Sequence, residues 1–303
     1  MNKYLKITLK IVVSLLLILY LVYTIDFSRS LDLILASNSY FFGLSIALII
    51  LNYVFSSLRW KYLILSEKKI SLFYLIKLYL IGSFFNNFLP TSIGGDAYKI
   101  LKLGEKIDSR TDAFTATFLE RFLGMIALLV ISIFGVISFS DSNYLNFIFG
   151  FIGVLIAFFL FLAFYPKFRF DHKFFNKIFS ILDKIHSSFM RYKKHPLLLV
   201  YSFISSILVQ ILSVLSQFVL FLAVGVSLPL AYSFFAFPII FLSGYAIPSL
   251  NGLGSQDVLY QNFFLFININ KEAIIASSLL YHLARFIVSL IGGLIYIIDK
   301  KHE

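Results

Sequence analysis

Residues 70–96 read ISLFYLIKLYLIGSFFNNFLPTSIGGD, an apolar run that ends abruptly in a segment rich in asparagine, proline and glycine. The apolar part approaches the length of about 18 residues that a helix needs to cross the hydrocarbon of a bilayer. Proline and paired glycines then break the helix. Broken backbone is tolerated at membrane depth only where protein or a wet cavity surrounds it. The stretch therefore predicts a membrane protein with a helix break inside its membrane domain.

The rest of the chain is similarly apolar. Of its 303 residues, 60% are hydrophobic and only 14% are charged, and the mean hydropathy is +0.91. An ordinary soluble protein carries about a quarter charged residues, so this chain cannot cover its apolar surface in water. We predict an all-α polytopic integral membrane protein whose single domain spans residues 1–303. The chain has no cysteine and no metal-ligand spacing among its five histidines, so we expect no metal site and no cofactor.

The positions of the basic residues predict the topology. Most of the 26 lysine and arginine residues lie in clusters between apolar runs, and such clusters face the cytoplasm. This pattern places both termini in the cytoplasm and assigns Arg59 and Lys99 to cytoplasmic loops. Amino-acid usage rich in phenylalanine, isoleucine, asparagine and lysine fits an AT-rich bacterial genome, so we expect a bacterial cytoplasmic (inner) membrane. The predicted crossing helices are Ile11–Ile25, Tyr40–Leu58, Ala113–Ser138, Tyr144–Tyr165, Leu197–Val224 and Ala273–Ile298.

Two interrupted stretches predict an inverted repeat. Basic clusters flank residues 70–96 on both sides, so both ends face the cytoplasm and the stretch is a re-entrant hairpin. Residues 232–266 are broken in the same way but lack basic flanks, which predicts a hairpin entering from outside. The first repeat spans about 70–138 and the second about 232–298. Inverted repeats with broken helices are typical of transporters, because their two halves can exchange conformations.

A basic segment separates the two repeats. Residues 166–196 interleave lysine and arginine with apolar residues at helical spacing. This pattern predicts an amphipathic helix lying on the anionic cytoplasmic leaflet. Nucleic-acid binding is the weaker alternative, and we predict no nucleic-acid partner.

Charged residues inside the apolar stretches are the candidates for function, because a charge at the bilayer centre costs about 2.5–3.5 kcal/mol. We hypothesise that Arg121 and Arg285 face a polar cavity and grip a phosphate through bidentate hydrogen bonds. The backbone N–H groups after Gly95 and Gly254 would add donors at helix N-termini. The predicted cavity residues are Asn87, Gly94, Gly95, Asp96, Glu120, Arg121, Asn251, Gly252, Gly254, Asp257 and Arg285.

A structural explanation of the same charges is also open. Asp96 can pair with Arg121, and Asp257 with Arg285, only to neutralise charge and to fix the hairpins. The two pairings have similar spacing, since the arginine follows the aspartate by 25 residues in the first repeat and 28 in the second. The glycines can likewise serve turn geometry without touching a ligand.

Three motifs in order resemble a known family. They are Gly94-Gly95-Asp96 preceded by Asn87 and Pro90, then Glu120-Arg121-x-x-Gly124, then Pro248-x-x-x-Gly252-Leu253-Gly254-x-x-Asp257. This set is similar to the lysylphosphatidylglycerol synthase transmembrane region, also called the flippase-like domain family. The family usually has Asp-Arg where this chain has Glu120-Arg121, and glutamate where it has Asp257. Both changes keep the charge.

The resemblance implies a lipid-handling role. Bifunctional members carry this region ahead of a soluble aminoacyl-transferase domain, which the 303 residues do not accommodate, so we expect no enzyme activity. The leading hypothesis is a flippase that moves an anionic-headgroup lipid, or a lipid-linked glycan precursor, between leaflets. One alternative is a lipid-binding partner of a membrane glycosyltransferase. Another is a membrane enzyme that acts on a lipid-linked substrate, with Asp96 or Asp257 as general base.

Overall fold

The protein is all-helical in the part that a computed structural model describes, namely residues 27–88, 93–139, 153, 183, 190–192, 194–246 and 252–300. This part contains nine α-helices and no strand, which confirms the predicted all-α class. The helices are α1 (Phe27–Leu35), α2 (Ser39–Tyr62), α3 (Leu72–Phe88), α4 (Ile93–Ile107), α5 (Arg110–Phe139), α6 (Pro196–Ala223), α7 (Leu230–Ala246), α8 (Ser255–Phe266) and α9 (Lys271–Lys300).

Four of these helices, α2, α5, α6 and α9, are long and apolar enough to cross a membrane. This finding confirms the polytopic membrane class. Three other predictions lie wholly or mostly outside the described residues: the first helix at 11–25, the helix at 144–165 and the amphipathic segment at 166–196. The same holds for the helix breaks at 89–92 and 247–251.

Helices α2 and α6 form an antiparallel pair. At one end, the backbone N–H of Asn38, which caps α2, donates to the carbonyl of Ala223 at 2.8 Å. At the other end, the Ser202 hydroxyl donates to the carbonyl of Arg59 at 3.4 Å. Small polar residues at such an interface let two membrane helices approach closely. The buried serines of α6 are Ser202, Ser205, Ser206 and Ser216.

Helices α3 and α4 form a hairpin whose two ends meet. Lys68, just before α3, pairs with Asp108, just after α4. Ile70 and Ile107 share a buried cluster with Leu63, the residue that follows α2. The open end of this first hairpin therefore lies beside the C-terminal end of α2.

Helices α7 and α8 form a second hairpin. The Tyr232 hydroxyl near the start of α7 donates to the Phe263 carbonyl near the end of α8 at 2.5 Å. Tyr232 also packs in one cluster with Phe221, near the end of α6. The open end of the second hairpin thus lies beside the C-terminal end of α6, opposite to that of the first. Entry of the hairpins into a bilayer from opposite faces stays a prediction.

Eight of the nine described helices, all except α1, divide into two units of the same order, α2–α5 and α6–α9. Corresponding helices have 24 and 28, 17 and 17, 15 and 12, and 30 and 30 residues. The packing also corresponds, because α3 lies along α9 just as α7 lies along α5. A glycine permits close approach in both pairs: a Cβ on Gly292 would overlap the Leu80 backbone, and one on Gly135 would overlap the Phe235 backbone.

Candidate functional site

Glu120 on α5 is the centre of a buried charge network. Its side chain is only 1% exposed, and it accepts hydrogen bonds from three other helices. The donors are the Arg59 guanidinium on α2, the Tyr79 hydroxyl on α3, and Lys99 Nζ on α4 at 3.3 Å. A single carboxylate therefore joins the first hairpin to two of the long helices.

The network continues from Lys99 to the exposed side of the hairpin. Lys99 Nζ lies 3.2 Å from Asp96 Oδ1. Asp96 in turn accepts two hydrogen bonds from Arg121, from Nε at 2.8 Å and from Nη2 at 2.9 Å. The charges alternate in the order Arg59, Glu120, Lys99, Asp96, Arg121. Within the part of the chain that the structure describes, three cations thus face two carboxylates.

Burial is uneven along the network. Arg59 and Lys99 are almost fully buried, whereas the Arg121 side chain is 33% exposed. The ammonium of Lys99 lies 3.8 Å from the centre of the Tyr79 ring, and this cation–π contact helps to hold the charge in an apolar setting. Arg59 Nε and Nη1 are buried and have no hydrogen-bond partner among the described residues. Arg121 is therefore the member that an approaching ligand would meet first.

The predicted position of Arg59 and Lys99 in cytoplasmic loops is wrong for their side chains. Arg59 lies inside α2, which ends only at Tyr62, and it points into the bundle. Lys99 follows Asp96 by three residues on α4, so both lie on the same face of that helix. The spacing of three residues between Asp96 and Lys99 indicates an ion pair on one helix face. Assigning Lys99 to a cytoplasmic loop concealed this pair.

In the second unit, Asp257 on α8 is held by α9. Asp257 Oδ1 lies 3.1 Å from His282 Nε2 and accepts a hydrogen bond from the Ser278 hydroxyl. Its Oδ2 accepts from the backbone N–H of Gly254 at 2.8 Å. The predicted pairing of Asp257 with Arg285 is wrong, because His282 takes that place. The Arg285 guanidinium lies over the ring of Tyr281 at 5.4 Å.

Arg121 and His282 occupy equivalent positions. Each lies on a 30-residue helix, eleven residues after the first residue of that helix. Each pairs with an aspartate 25 residues earlier, namely Asp96 or Asp257. The predicted match of Arg121 with Arg285 is therefore one helical turn out of register. Applying the 25-residue offset of the first unit to Asp257 would have identified His282.

The glycines of the predicted cavity serve the backbone. Gly94 and Gly95 lie in the first turn of α4. Gly252 and Gly254 form the turn before α8 with φ of 91° and 79°, a left-handed conformation that favours glycine. The predicted cavity residue Asn251 lies outside the described residues.

The backbone N–H groups of Gly95 and Gly254 themselves already have partners, whereas an anion-binding role of the N–H groups that follow them stays a prediction. The Gly95 N–H donates to the Asn86 side chain at 2.8 Å, and the Gly254 N–H donates to Asp257. Asn87 contacts α9, where its Nδ2 donates to the Ser289 hydroxyl at 2.6 Å. The side chains of the two hairpin tips therefore stabilise the helix ends and the packing between units.

Replacing Gly95 with alanine is expected to destabilise the protein by about 1–3 kcal/mol. A Cβ at this position would overlap the Gly82 carbonyl and would force α3 and α4 apart. The matched control is Gly43→Ala, because a Cβ on Gly43 meets no atom within 4 Å. Thermal unfolding in detergent measures both, and equal melting temperatures would contradict the close packing of the hairpin.

Two comparisons with known proteins agree with the motifs. The family model described as the lysylphosphatidylglycerol synthase transmembrane region matches residues 7–293. A UPF0104 membrane protein of Methanocaldococcus jannaschii is 27% identical, and the alignment covers 98% of this chain and 96% of that protein. The resemblance inferred from the sequence is therefore confirmed.

Proposed function

The chain belongs to the lysylphosphatidylglycerol synthase transmembrane-region family, and on this basis we propose that it moves lipids with an anionic headgroup between the leaflets of a bacterial cytoplasmic membrane. Such lipids include phospholipids and lipid-linked glycan precursors. In this proposal both termini face the cytoplasm. The headgroup binds beside Arg121 while the acyl chains stay in the hydrocarbon.

The buried cations of the network carry this proposal. Among the described residues the network contains three cations, Arg59, Lys99 and Arg121, and two carboxylates, Glu120 and Asp96. Charge in a membrane interior is unfavourable, and a headgroup phosphate is an anion that such a set of cations stabilises. A guanidinium binds phosphate through parallel hydrogen bonds, and Arg121 is the partly exposed guanidinium of the network.

The arrangement of the two hairpins supports movement rather than binding alone. Their open ends lie at opposite ends of the antiparallel α2–α6 pair, and each hairpin packs on the long helix of the other unit. If both hairpins dip into the bilayer, rocking one unit against the other exposes the charged site to each leaflet in turn.

A reconstitution experiment tests the proposal. Vesicles containing the purified protein receive fluorescent lipids with identical acyl chains and either an anionic or a zwitterionic headgroup. A membrane-impermeant quencher then reports how fast each lipid leaves the inner leaflet. We expect faster exchange of the anionic lipid than in protein-free vesicles, and a smaller effect on the zwitterionic lipid.

The alternative functions give different outcomes in the same vesicles. Lipid that co-purifies with the protein but does not exchange would support a lipid-binding partner of another enzyme. A chemically altered lipid, detected by mass spectrometry, would support a membrane enzyme. Either result without exchange of any anionic lipid would contradict the proposed transport.

A further inference from the structure

The two equivalent ion pairs differ in whether their charge can change. Asp96 pairs with Arg121, a guanidinium that stays protonated in proteins. Asp257 pairs with His282, and imidazole is the side chain that gains or loses its charge near neutral pH. The charge of Arg121 in the first pair is therefore permanent. The second pair is neutral only when His282 carries a proton, and is otherwise a buried anion.

The other contacts of Asp257 favour its carboxylate form, which accepts hydrogen bonds. Its two oxygens accept hydrogen bonds from the Ser278 hydroxyl and the Gly254 N–H in addition to the contact with His282. Hydrogen bonds to a carboxylate favour its charged form. A proton that enters this site consequently resides on the imidazole, and the carboxylate stays in place to hold it.

No described group offers His282 a second carboxylate. The nearby ionisable side chains are tyrosines and one arginine: Tyr260 on α8, Tyr281 and Arg285 on α9, and Tyr53 on α2. Helices α6 and α7 contain no charged residue. The charged residues of the remaining neighbours lie elsewhere, since Arg59 of α2 binds Glu120 and Lys77 of α3 binds Asp299. Arg29 and Asp32 of α1 are exposed.

The Asp257–His282 pair also links the turn before α8 to helix α9, so the charge of His282 affects how firmly the two are joined. Asp257 accepts a hydrogen bond from the N–H of Gly254, the residue with a left-handed conformation just before α8, and His282 lies on α9. Gain of a proton strengthens the link between the tip of the second hairpin and α9, and loss of the proton weakens it. The first hairpin has no such switch, because Arg121 holds Asp96 at any physiological pH.

We propose that Asp257 and His282 form a proton-binding site that couples proton uptake and release to movement of the second hairpin relative to α9. The proposal rests on the proposed function only in that the movement carries lipid across the membrane. Proton uptake on His282 closes the link, and proton release on the other side of the membrane opens it.

Nitrogen NMR of ¹⁵N-histidine-labelled protein in lipid nanodiscs tests the site without any transport. The His282 signal is the one absent from H282Q, or the one that remains when the other four histidines are replaced by glutamine. The pH is varied from about 5 to about 8, the interval in which imidazole groups in general change charge, and we expect this signal to change from the protonated to the neutral form. A signal that keeps one charge state over this range would overturn the proposal.

Lipid exchange in vesicles tests the coupling. The wild-type rate is expected to change about tenfold over the same pH range, a size typical of coupling between two sites. H282R, which copies the first unit, and H282Q are both expected to be slow and insensitive to pH. The control His195→Gln changes an exposed histidine at the start of α6 and should keep the wild-type profile. If H282R or H282Q keeps that profile, the coupling is wrong. A titrating His282 in a protein that exchanges no lipid would refute the transport function and leave the proton site standing.

Discussion

Replacing Glu120 with alanine is expected to lower the free energy of unfolding by about 3–5 kcal/mol, the range for breaking a buried ion pair by removing one partner. The loss is large because Glu120 serves Arg59, Lys99 and Tyr79 at once. Without this carboxylate, two buried cations lie close together with only Asp96 to balance them. Equilibrium unfolding in mixed detergent micelles measures the change.

Two further variants serve as controls for Glu120→Ala. Glu120→Gln keeps the size of the side chain and removes the charge, so it should be almost as destabilising as alanine. Lys68→Ala breaks an ion pair whose Lys68 side chain is 52% exposed, and such pairs contribute at most about 1 kcal/mol. If Glu120→Ala destabilises no more than Lys68→Ala, the buried network does not hold the first hairpin in place.

Replacing Arg121 with alanine is expected to slow exchange of anionic lipid about ten- to a hundredfold. This range corresponds to the loss of a hydrogen bond to a charged group, about 1.5–3 kcal/mol, at about 1.4 kcal/mol per tenfold change. The exchange assay with fluorescent lipids measures the rate. Zwitterionic lipid should respond less, since it lacks the net charge that the site neutralises.

Arg191→Ala is the matched control for this variant. Arg191 also pairs with an aspartate, Asp112, but its side chain is 46% exposed and lies outside the membrane helices. The Arg191→Ala variant should exchange lipid at the wild-type rate.

Arg285→Ala tests whether the second predicted arginine shares in headgroup binding, and we expect a smaller loss of exchange rate than for Arg121→Ala. An unchanged rate of exchange in Arg121→Ala would contradict the proposed binding of the headgroup by Arg121.

The class of the protein and three members of the buried network could be predicted from the sequence. Apolar runs and breaks give helices and turns because only helices satisfy the backbone inside hydrocarbon. Asp96, Glu120 and Arg121 were identifiable because charges are rare and unfavourable there. These three residues do lie in one network.

The contacts that these residues make with other helices could not be predicted from the sequence. Arg59 meets Glu120 across 61 positions of the chain, and Asn87 meets Ser289 across 202. Such contacts depend on how the helices pack, which hydropathy does not encode. His282 was missed for a different reason, since the repeat was aligned on the dipeptides Arg121-Phe122 and Arg285-Phe286. In the structure, Arg121 corresponds to His282, because the two residues have the same position along α5 and α9.

Cysteine labelling from each side of the membrane tests the central claim, that two hairpins enter the bilayer from opposite faces. The chain has no cysteine, so single cysteines can be placed at Glu67 and Ser227, exposed residues before α3 and before α7. A membrane-impermeant maleimide is applied to intact cells and to inside-out vesicles. We expect Glu67→Cys to react only from the cytoplasmic side and Ser227→Cys only from the external side. Reaction of both from the same side would contradict it.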